Sequence, residues 1–195
     1  MKKYYFQIGK EIKSISNFGI FIYLILFWGF NLFSQNINNL DSDFKLGNYK
    51  LKSPFKLYQN NLTFKFSSPS NSDLKVYSSS TKKLKISGAE KVKEISLMFY
   101  KDNLYTINID FDGYLSDYQE SSIVNDLIAI IGRPTNYVSN PNLKDNSTYE
   151  VKKQFEWTSN DSVLLFIKSG SPFYQHSLAL YSTEIQNQIL KDKFN

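Results

Sequence analysis

The stretch at residues 95–111, ISLMFYKDNLYTINIDF, decides the fold. Two runs of β-forming residues, 95–100 and 104–111, flank the short polar break Lys101-Asp102-Asn103. A short polar break between two such runs is typical of a β-hairpin. The stretch therefore predicts two antiparallel strands joined by a tight turn.

Outside this hairpin, the same preference for strand recurs along the chain. Apolar residues alternate with polar ones in the first half, and a second hairpin surrounds the polar break at residues 159–162. Period-two alternation places one side of a strand against a core and the other towards solvent. Six further segments are predicted to be strands: residues 62–66, 74–76, 84–86, 149–157, 163–169 and 177–182.

Helices are fewer, and the clearest is predicted at residues 117–131. Ser116 and Gln119 have the spacing of a capping box, in which each side chain satisfies an end amide of the other residue. Gly132 favours the closing conformation of a helix, and Pro134 prevents its continuation. Four aliphatic residues share one face of this helix: Ile123, Leu127, Ile130 and Ile131.

A second helix is predicted from Thr183, capped with Gln186, to the C-terminus, and a short one at Ser53-Pro54. Hairpins that lie next to one another, with helices between sets of strands, indicate an antiparallel sheet. We therefore predict an α+β domain, a mainly antiparallel sheet built from hairpins with one or two helices packed on one face.

The N-terminal segment differs from the rest. Four lysines precede an apolar run at residues 19–30, and no charge occurs between Lys13 and Asp41. This pattern predicts a signal peptide at residues 1–34, cut after Ser34 to leave Gln35. Its ending resembles the export signals of Bacteroidetes-type bacteria. The alternative is an uncleaved inner-membrane anchor at residues 18–33.

Behind the signal peptide, residues 35–43 are expected to form a flexible lead-in and residues 44–195 a single domain. The chain has no Cys, which excludes disulfides, thiolate metal sites and a lipid anchor on cysteine. Much of the net charge of +5 belongs to the first 34 residues, and the remaining lysines are scattered. A nucleic-acid partner is therefore not expected, because it requires a concentrated basic face.

Several short motifs carry a partial resemblance. FYK at 99–101 and LY at 104–105 are followed by the predicted helix, GRPT at 132–135 and Trp157. The series is similar to small exported bacterial domains, and loosely resembles the small lipoprotein of the barrel assembly machine and the repeats of β-lactamase-inhibitor proteins. The resemblance covers residues 95–182. It implies a helix-plus-sheet module that acts by binding proteins, and it assigns no binding residue.

The stretch NIDFDGYLSDYQ at residues 108–119 is close to the calcium loop of an EF-hand. Asn108, Asp110 and Asp112 take the first three ligand positions. However, Gln119 stands where the bidentate Glu belongs, which removes two oxygens of the cation. A strand end and turn explain the same residues, with Asp110 and Asp112 facing solvent. Calcium is the alternative, and no other cofactor is expected.

Two more residues are weak candidates for chemistry. His176 is the only histidine, expected in the loop at residues 171–177, where a carboxylate neighbour would make it a general base. A loop or packing role is favoured. Ser162, within Asp161-Ser162-Val163, resembles the O-glycosylation acceptor of exported Bacteroidetes proteins and is expected to be accessible at a hairpin turn.

No nucleophile elbow, paired-acid signature or phosphate-binding loop occurs in the sequence. The favoured function is therefore an exported, non-catalytic binding or scaffolding module of the periplasm or outer envelope. Its partner would be a protein or an envelope component, and the membrane would be contacted only through an uncleaved N-terminal segment. One alternative is a small envelope enzyme using His176 with carboxylates. The other is a glycan-binding protein, because 14 Tyr and 16 Phe are available for stacking.

Overall fold

The computed structural model describes residues 40, 44–80, 92–140, 151–169 and 175–194. Two compact units divide the chain, Met1–Ser34 and Gln35–Asn195, and every described residue belongs to the second. The expected signal peptide or anchor, nearly all of the lead-in and the strand at 84–86 lie outside the described residues. Within the described ranges, no helix has the length and apolar character that crossing a membrane requires.

The described chain forms strands and two α-helices, with two short 3-10 helices at Phe55–Leu57 and Gln59–Asn61. In chain order these are β1 (Lys45–Leu46), β2 (Tyr49–Lys50), β3 (Leu62–Ser68), β4 (Asn71–Ser79), β5 (Val92–Tyr100), β6 (Asn103–Phe111), α1 (Asp117–Ile131), β7 (Asn136–Ser139), β8 (Val151–Thr158), β9 (Ser162–Ser169), β10 (Gln175–Ser182) and α2 (Thr183–Phe194).

β3 to β10 form one eight-stranded sheet in the order β3-β4-β5-β6-β10-β9-β8-β7, and every neighbouring pair is antiparallel. The sheet consists of two four-stranded meanders, each followed by a helix, and β6 and β10 join them at the centre. The predicted α+β class is thus confirmed, and the arrangement of four strands and one helix occurs twice.

The predicted central hairpin is β5 and β6. Lys101 and Asp102 form its two-residue turn with φ of 46° and 61°. Positive φ at both positions matches the right-handed twist of the two strands. Two residues of the polar break therefore form the turn. The third, Asn103, already pairs with Tyr100 as the first residue of β6.

The first helix is confirmed at its predicted bounds. The Ser116 side chain accepts from the Gln119 amide, and the Gln119 side chain accepts from the Ser116 amide, which completes the capping box. Gly132 ends the helix with φ of 92°, and its carbonyl accepts a 2.8 Å hydrogen bond from Trp157 Nε1. This bond ties the end of α1 to β8.

The second helix begins at Thr183 as predicted, but its cap was assigned to the wrong residue. The Ile185 amide donates to Ser182 Oγ at 3.3 Å, so Ser182 caps the helix. Farther along α2, the Asp192 carboxylate accepts hydrogen bonds from the Tyr100 hydroxyl and the Lys101 ammonium. At Ser53-Pro54 the expected short helix is the 3-10 helix at Phe55–Leu57, with Pro54 at its N-cap.

α1 covers one face of the sheet and forms a single core with it. Side chains from both meanders meet there, including Phe99, Ile107, Trp157 and Phe166. The expectation of one buried face is wrong, because the opposite face is also buried. Its buried residues include Val76, Met98, Asn108, Leu165, Ile167 and Ala179. Near-continuous apolar runs such as ISLMFY are typical of strands covered on both faces.

Each meander carries a ladder of three aromatic rings across its outer strands. Phe64, Tyr77 and Phe99 lie on β3, β4 and β5, with ring centroids 5.5 and 5.7 Å apart. In the other meander, Tyr137 on β7, Phe155 and Phe166 follow with centroid distances of 4.8 and 6.3 Å. The outermost ring of each ladder is exposed, 54% for Phe64 and 50% for Tyr137.

Candidate functional site

A buried carboxylate joins α1 to three strands of the second meander. Glu120 of α1 accepts hydrogen bonds from Lys153 Nζ of β8 and, at 3.1 Å, from Lys168 Nζ of β9. His176 Nε2 of β10 lies 3.4 Å from the same carboxylate. Glu120 and His176 are buried, whereas the Lys153 side chain is 33% exposed.

The sheet register places these groups together. Lys153 pairs with Lys168 across β8 and β9, and Lys168 pairs with His176 across β9 and β10. Three cross-strand neighbours therefore stand in a row on the face that α1 covers. Because the capping box fixes where α1 begins, Glu120 in its first turn lies directly against this row.

The charges around Glu120 outweigh its burial. Burial by itself would raise the pKa of this carboxyl, but hydrogen bonds from His176, Lys153 and Lys168 lower the pKa to about 2. Burial would lower the pKa of Lys153, and its bond to Glu120 raises that pKa instead. Glu120 is thus a permanently ionised anchor for two ammonium groups at neutral pH.

His176 lies in β10, and its expected position in a loop is wrong. The side chain is 0% exposed, and its ring stacks on Phe166 with centroids 5.9 Å apart and an interplanar angle of 25°. Tyr114 packs edge-on against it at 6.2 Å. Among the residues that the structure describes, none forms a hydrogen bond with its Nδ1 atom. Glu120 is the carboxylate neighbour that a general base would need, but no face of the imidazole reaches solvent.

Two tyrosines border the buried cluster at the protein surface. Tyr114 is 49% exposed, and Lys168 Nζ lies 5.3 Å from the centre of its ring. The Tyr137 ring packs against the Phe155 ring, and Lys153 Nζ lies 5.7 Å from the centre of the Phe155 ring. We call Tyr114, Tyr137, Lys153 and Lys168 the tyrosine–lysine surface.

The calcium candidates occupy the end of β6. Asn108 Nδ2 donates to Asp110 Oδ1 at 3.2 Å, and Asp112 is exposed as expected. Asp110 is mostly buried, so its expected solvent-facing position is wrong, and burial raises the pKa of its carboxyl. Asn108 is buried, and its Oδ1 has no hydrogen-bond partner within the described ranges. In the described part of the chain, no three His, Asp or Glu side chains converge as metal ligands.

The expectation that Ser162 is accessible is wrong. It is the first residue of β9, it is buried, and its hydroxyl lies 3.0 Å from the Ser159 hydroxyl. Ser162 Oγ also donates to the Leu40 carbonyl at 3.4 Å. The hydroxyl is therefore part of the packing of the β8–β9 turn.

Sequence reasoning missed Glu120, Lys153 and Lys168 as members of a site. In the sequence, Glu120 stands one residue after Gln119, too late to supply the last ligand of a calcium loop. One signal was available, because Lys168 is a charged residue that follows the apolar run VLLFI directly. Lysine on the buried face of a strand needs a partner. The identity of that partner depends on how β8, β9 and β10 pair.

Comparison with known proteins adds no assignment. No protein-family model matches the chain, and neither the curated proteins nor the solved structures contain a significant match.

Proposed function

We propose that this chain is an exported module of the cell envelope that acts by binding a partner, and that the tyrosine–lysine surface is where it binds. The observation that carries the proposal is a separation of roles within one cluster. His176 and Glu120, the groups with catalytic chemistry, are buried and engaged, whereas the exposed groups beside them are tyrosine rings and an ammonium.

Such groups are typical of binding surfaces. Tyr is enriched at protein interfaces, and aromatic anchors carry much of the binding energy there. Tyr137 is backed by Phe155, and Lys153 is held by Glu120, so both exposed groups are fixed before a partner arrives. Fixed groups lose little conformational entropy on binding, which favours affinity.

The experiment places a photo-crosslinking amino acid at position 137 and, as a matched control, at position 64. Both positions end an aromatic ladder and are half exposed. Illumination of the native envelope, followed by mass spectrometry, should give adducts with an envelope component from position 137 that position 64 does not give. Identical adducts from both positions would contradict the proposed surface.

A small envelope enzyme is the second candidate, and the 3.4 Å approach of His176 Nε2 to Glu120 Oε2 favours it. A His176→Gln variant separates the two functions. Screening against envelope glycans and peptides should reveal no turnover that this substitution abolishes. Turnover by the native protein that disappears in a folded His176→Gln variant would establish the enzyme and refute the binding module.

A further inference from the structure

β7 forms one edge of the eight-stranded sheet. In the described part of the chain it pairs with β8 on one side, and no strand lies on its other side. Five residues along this edge are exposed: Thr135, Asn136, Tyr137, Ser139 and Asn140. β7 contains no charged residue and no Pro, the residue types that natural proteins place on sheet edges to block further pairing. Its outer side is therefore accessible to another strand.

The hydrogen bonds of β7 show which of its backbone groups point outwards. In an antiparallel pair, alternate residues bond to the neighbouring strand, and the residues between them turn their N–H and C=O groups away. The Asn140 amide donates to the Lys152 carbonyl at 2.9 Å. Alternation from this bond directs Val138 towards β8, and Tyr137 and Ser139 towards solvent. Tyr137 and Ser139 each present an unused N–H and C=O to an approaching strand.

The pairing of β8 with β9 gives the same alternation independently. The Ser159 amide donates to the Ser162 carbonyl at 2.9 Å, and alternation back along β8 turns the backbone groups of Glu156 towards β7. Glu156 pairs with Asn136, which lies two residues before Val138. Both ladders therefore direct Asn136 and Val138 inwards and the residues between and after them outwards.

The opposite edge of the sheet, β3, lacks such a regular row. Its register with β4 shifts between Phe64 and Phe66, and Lys65 between them has no registered partner. Such an irregularity interrupts the alternation of outward-facing groups and bends the strand. Lys65 Nζ also lies 2.5 Å from the Glu94 carboxylate, which fixes a charged side chain at this edge. Bulges and edge lysines both prevent strand addition.

The exposed ring of Tyr137 stands beside the open edge. It is 50% exposed, and its centroid lies 4.8 Å from that of Phe155. A residue directly opposite Tyr137 on an added strand would have its Cβ about 4.5–5.5 Å from the tyrosine Cβ. An apolar or aromatic side chain at that position would cover the exposed part of the ring and extend the aromatic ladder by one member.

From this geometry we infer that the partner of the tyrosine–lysine surface is a protein that docks an extended segment along β7, with an apolar or aromatic side chain opposite Tyr137. The inference rests on the proposed function and specifies how its partner binds. A peptide backbone is the ligand whose donors and acceptors repeat at the spacing of the outward-facing groups. A second copy of this chain is a poorer occupant, because so short an edge buries far less than the roughly 1,200–2,000 Å² of a stable interface.

Ser139 offers a test that leaves the β7–β8 ladder intact. Ser139→Pro removes an outward-facing N–H, and Pro is tolerated on an edge strand where that group faces solvent. Ser139→Ala keeps the N–H and is the matched control. With the photo-crosslinking amino acid at position 137, Ser139→Pro should reduce the adducts at least roughly tenfold, because a hydrogen bond is lost and the proline ring obstructs the added strand. Ser139→Ala should retain them.

A second measurement follows the backbone directly. Crosslinkers placed separately at positions 137 and 139 should attach to one segment of one protein, at residues two apart. That segment, made as a synthetic peptide, should bind the full chain and protect the amides of Tyr137 and Ser139 from hydrogen exchange. The amides of Asn136 and Val138 should change little, because they already bond to β8.

Three results would overturn the inference: undiminished adducts from position 137 in a folded Ser139→Pro variant, adducts with a glycan, a lipid or a second copy of this chain, or peptide binding that leaves both outward amides unprotected. In each case, adducts specific to position 137 leave the proposed function standing. Absence of such adducts, or identical adducts from position 64, removes the proposed function and the inference together. Melting temperatures establish that both Ser139 variants are folded, and the exchange measurement decides if Ser139→Pro is not.

Discussion

Replacing Glu120 by glutamine removes the anion that balances Lys153 and Lys168 while nearly preserving side-chain shape. The pKa of Glu120 falls from its ordinary value of 4.5 to about 2 in the folded chain. At 1.36 kcal/mol for each pKa unit, the ionised carboxylate contributes roughly 3 kcal/mol to folding at neutral pH. Because the folded pKa is lowered, this contribution is complete above about pH 4.5 and is lost as the pH falls towards 2.

We therefore expect Glu120→Gln to lower the free energy of unfolding by roughly 3 kcal/mol at pH 7. For a domain of this size, the melting temperature should fall by on the order of 5–10 °C. The loss should shrink as the pH decreases from 5 to 2, since the native carboxylate is then protonated. Urea unfolding at several pH values measures both effects.

Asp117→Asn is the matched control, because Asp117 is an exposed carboxylate in the same helical turn. Its effect should stay within about 0.5 kcal/mol, as for most surface substitutions. Adding Lys168→Met to Glu120→Gln should recover part of the stability, because it removes one of the cations left without a counter-charge. A loss below about 0.5 kcal/mol for Glu120→Gln, or an unchanged pH profile, would refute the reasoning.

Three further outcomes are expected. Ser116→Ala should lower the free energy of unfolding by about 1 kcal/mol, because it breaks the capping box, and equal urea midpoints for variant and native protein would contradict this role. Burial raises the pKa of Tyr181 to about 12, so the neutral phenol stabilises the folded chain and this contribution is lost between about pH 10 and 12; Tyr181→Phe should flatten that decline in alkaline unfolding experiments. Melting temperatures in millimolar calcium and in chelator should coincide, whereas a shift on the order of 5–10 °C that Asp110→Ala abolishes would establish a calcium site.

Local signals in the sequence predicted the elements that local chemistry determines. The capping box at Ser116 and Gln119 fixed the start of α1, and Gly132 fixed its end. The turn at Lys101 and Asp102 lies between two strong β-forming runs, and this pattern was sufficient to predict the central hairpin. β7 was missed because NYVS is four residues long and mostly polar, so it has no detectable period.

The candidate site was missed because it depends on pairing between distant strands. Lys153, Lys168 and His176 stand in a row only because β8, β9 and β10 adopt one particular register. A shift of one residue along β9 would turn Lys168 to the opposite face. Nothing local to His176 indicates a carboxylate neighbour, because Glu120 reaches it from a helix that lies more than 50 residues earlier.

The joint between the two meanders has a consequence for how the chain folds. In the described sheet, β6 and β10 form the one ladder that links the halves, with five registered residue pairs against eight in each flanking ladder. Partners such as Ile109 and Leu178 are separated by about 70 residues, so closing this joint costs more chain entropy than closing any hairpin. We therefore expect each meander to assemble from local contacts first, and the pairing of β6 with β10 to be the slow, topology-limited step.

The pairing of β6 with β10 can also form between two molecules, each contributing one of the two strands. Its ladder pairs apolar residues with one another and polar ones such as Ser177 with Asp110, and a second molecule presents an identical β10. At high concentration, a chain whose halves have formed but not yet docked meets two equivalent partners, its own second half and that of a neighbour. We therefore expect refolding at increasing protein concentration to favour a domain-swapped dimer in which the connection through α1 acts as the hinge. Slow synthesis or dilution favours the closed monomer.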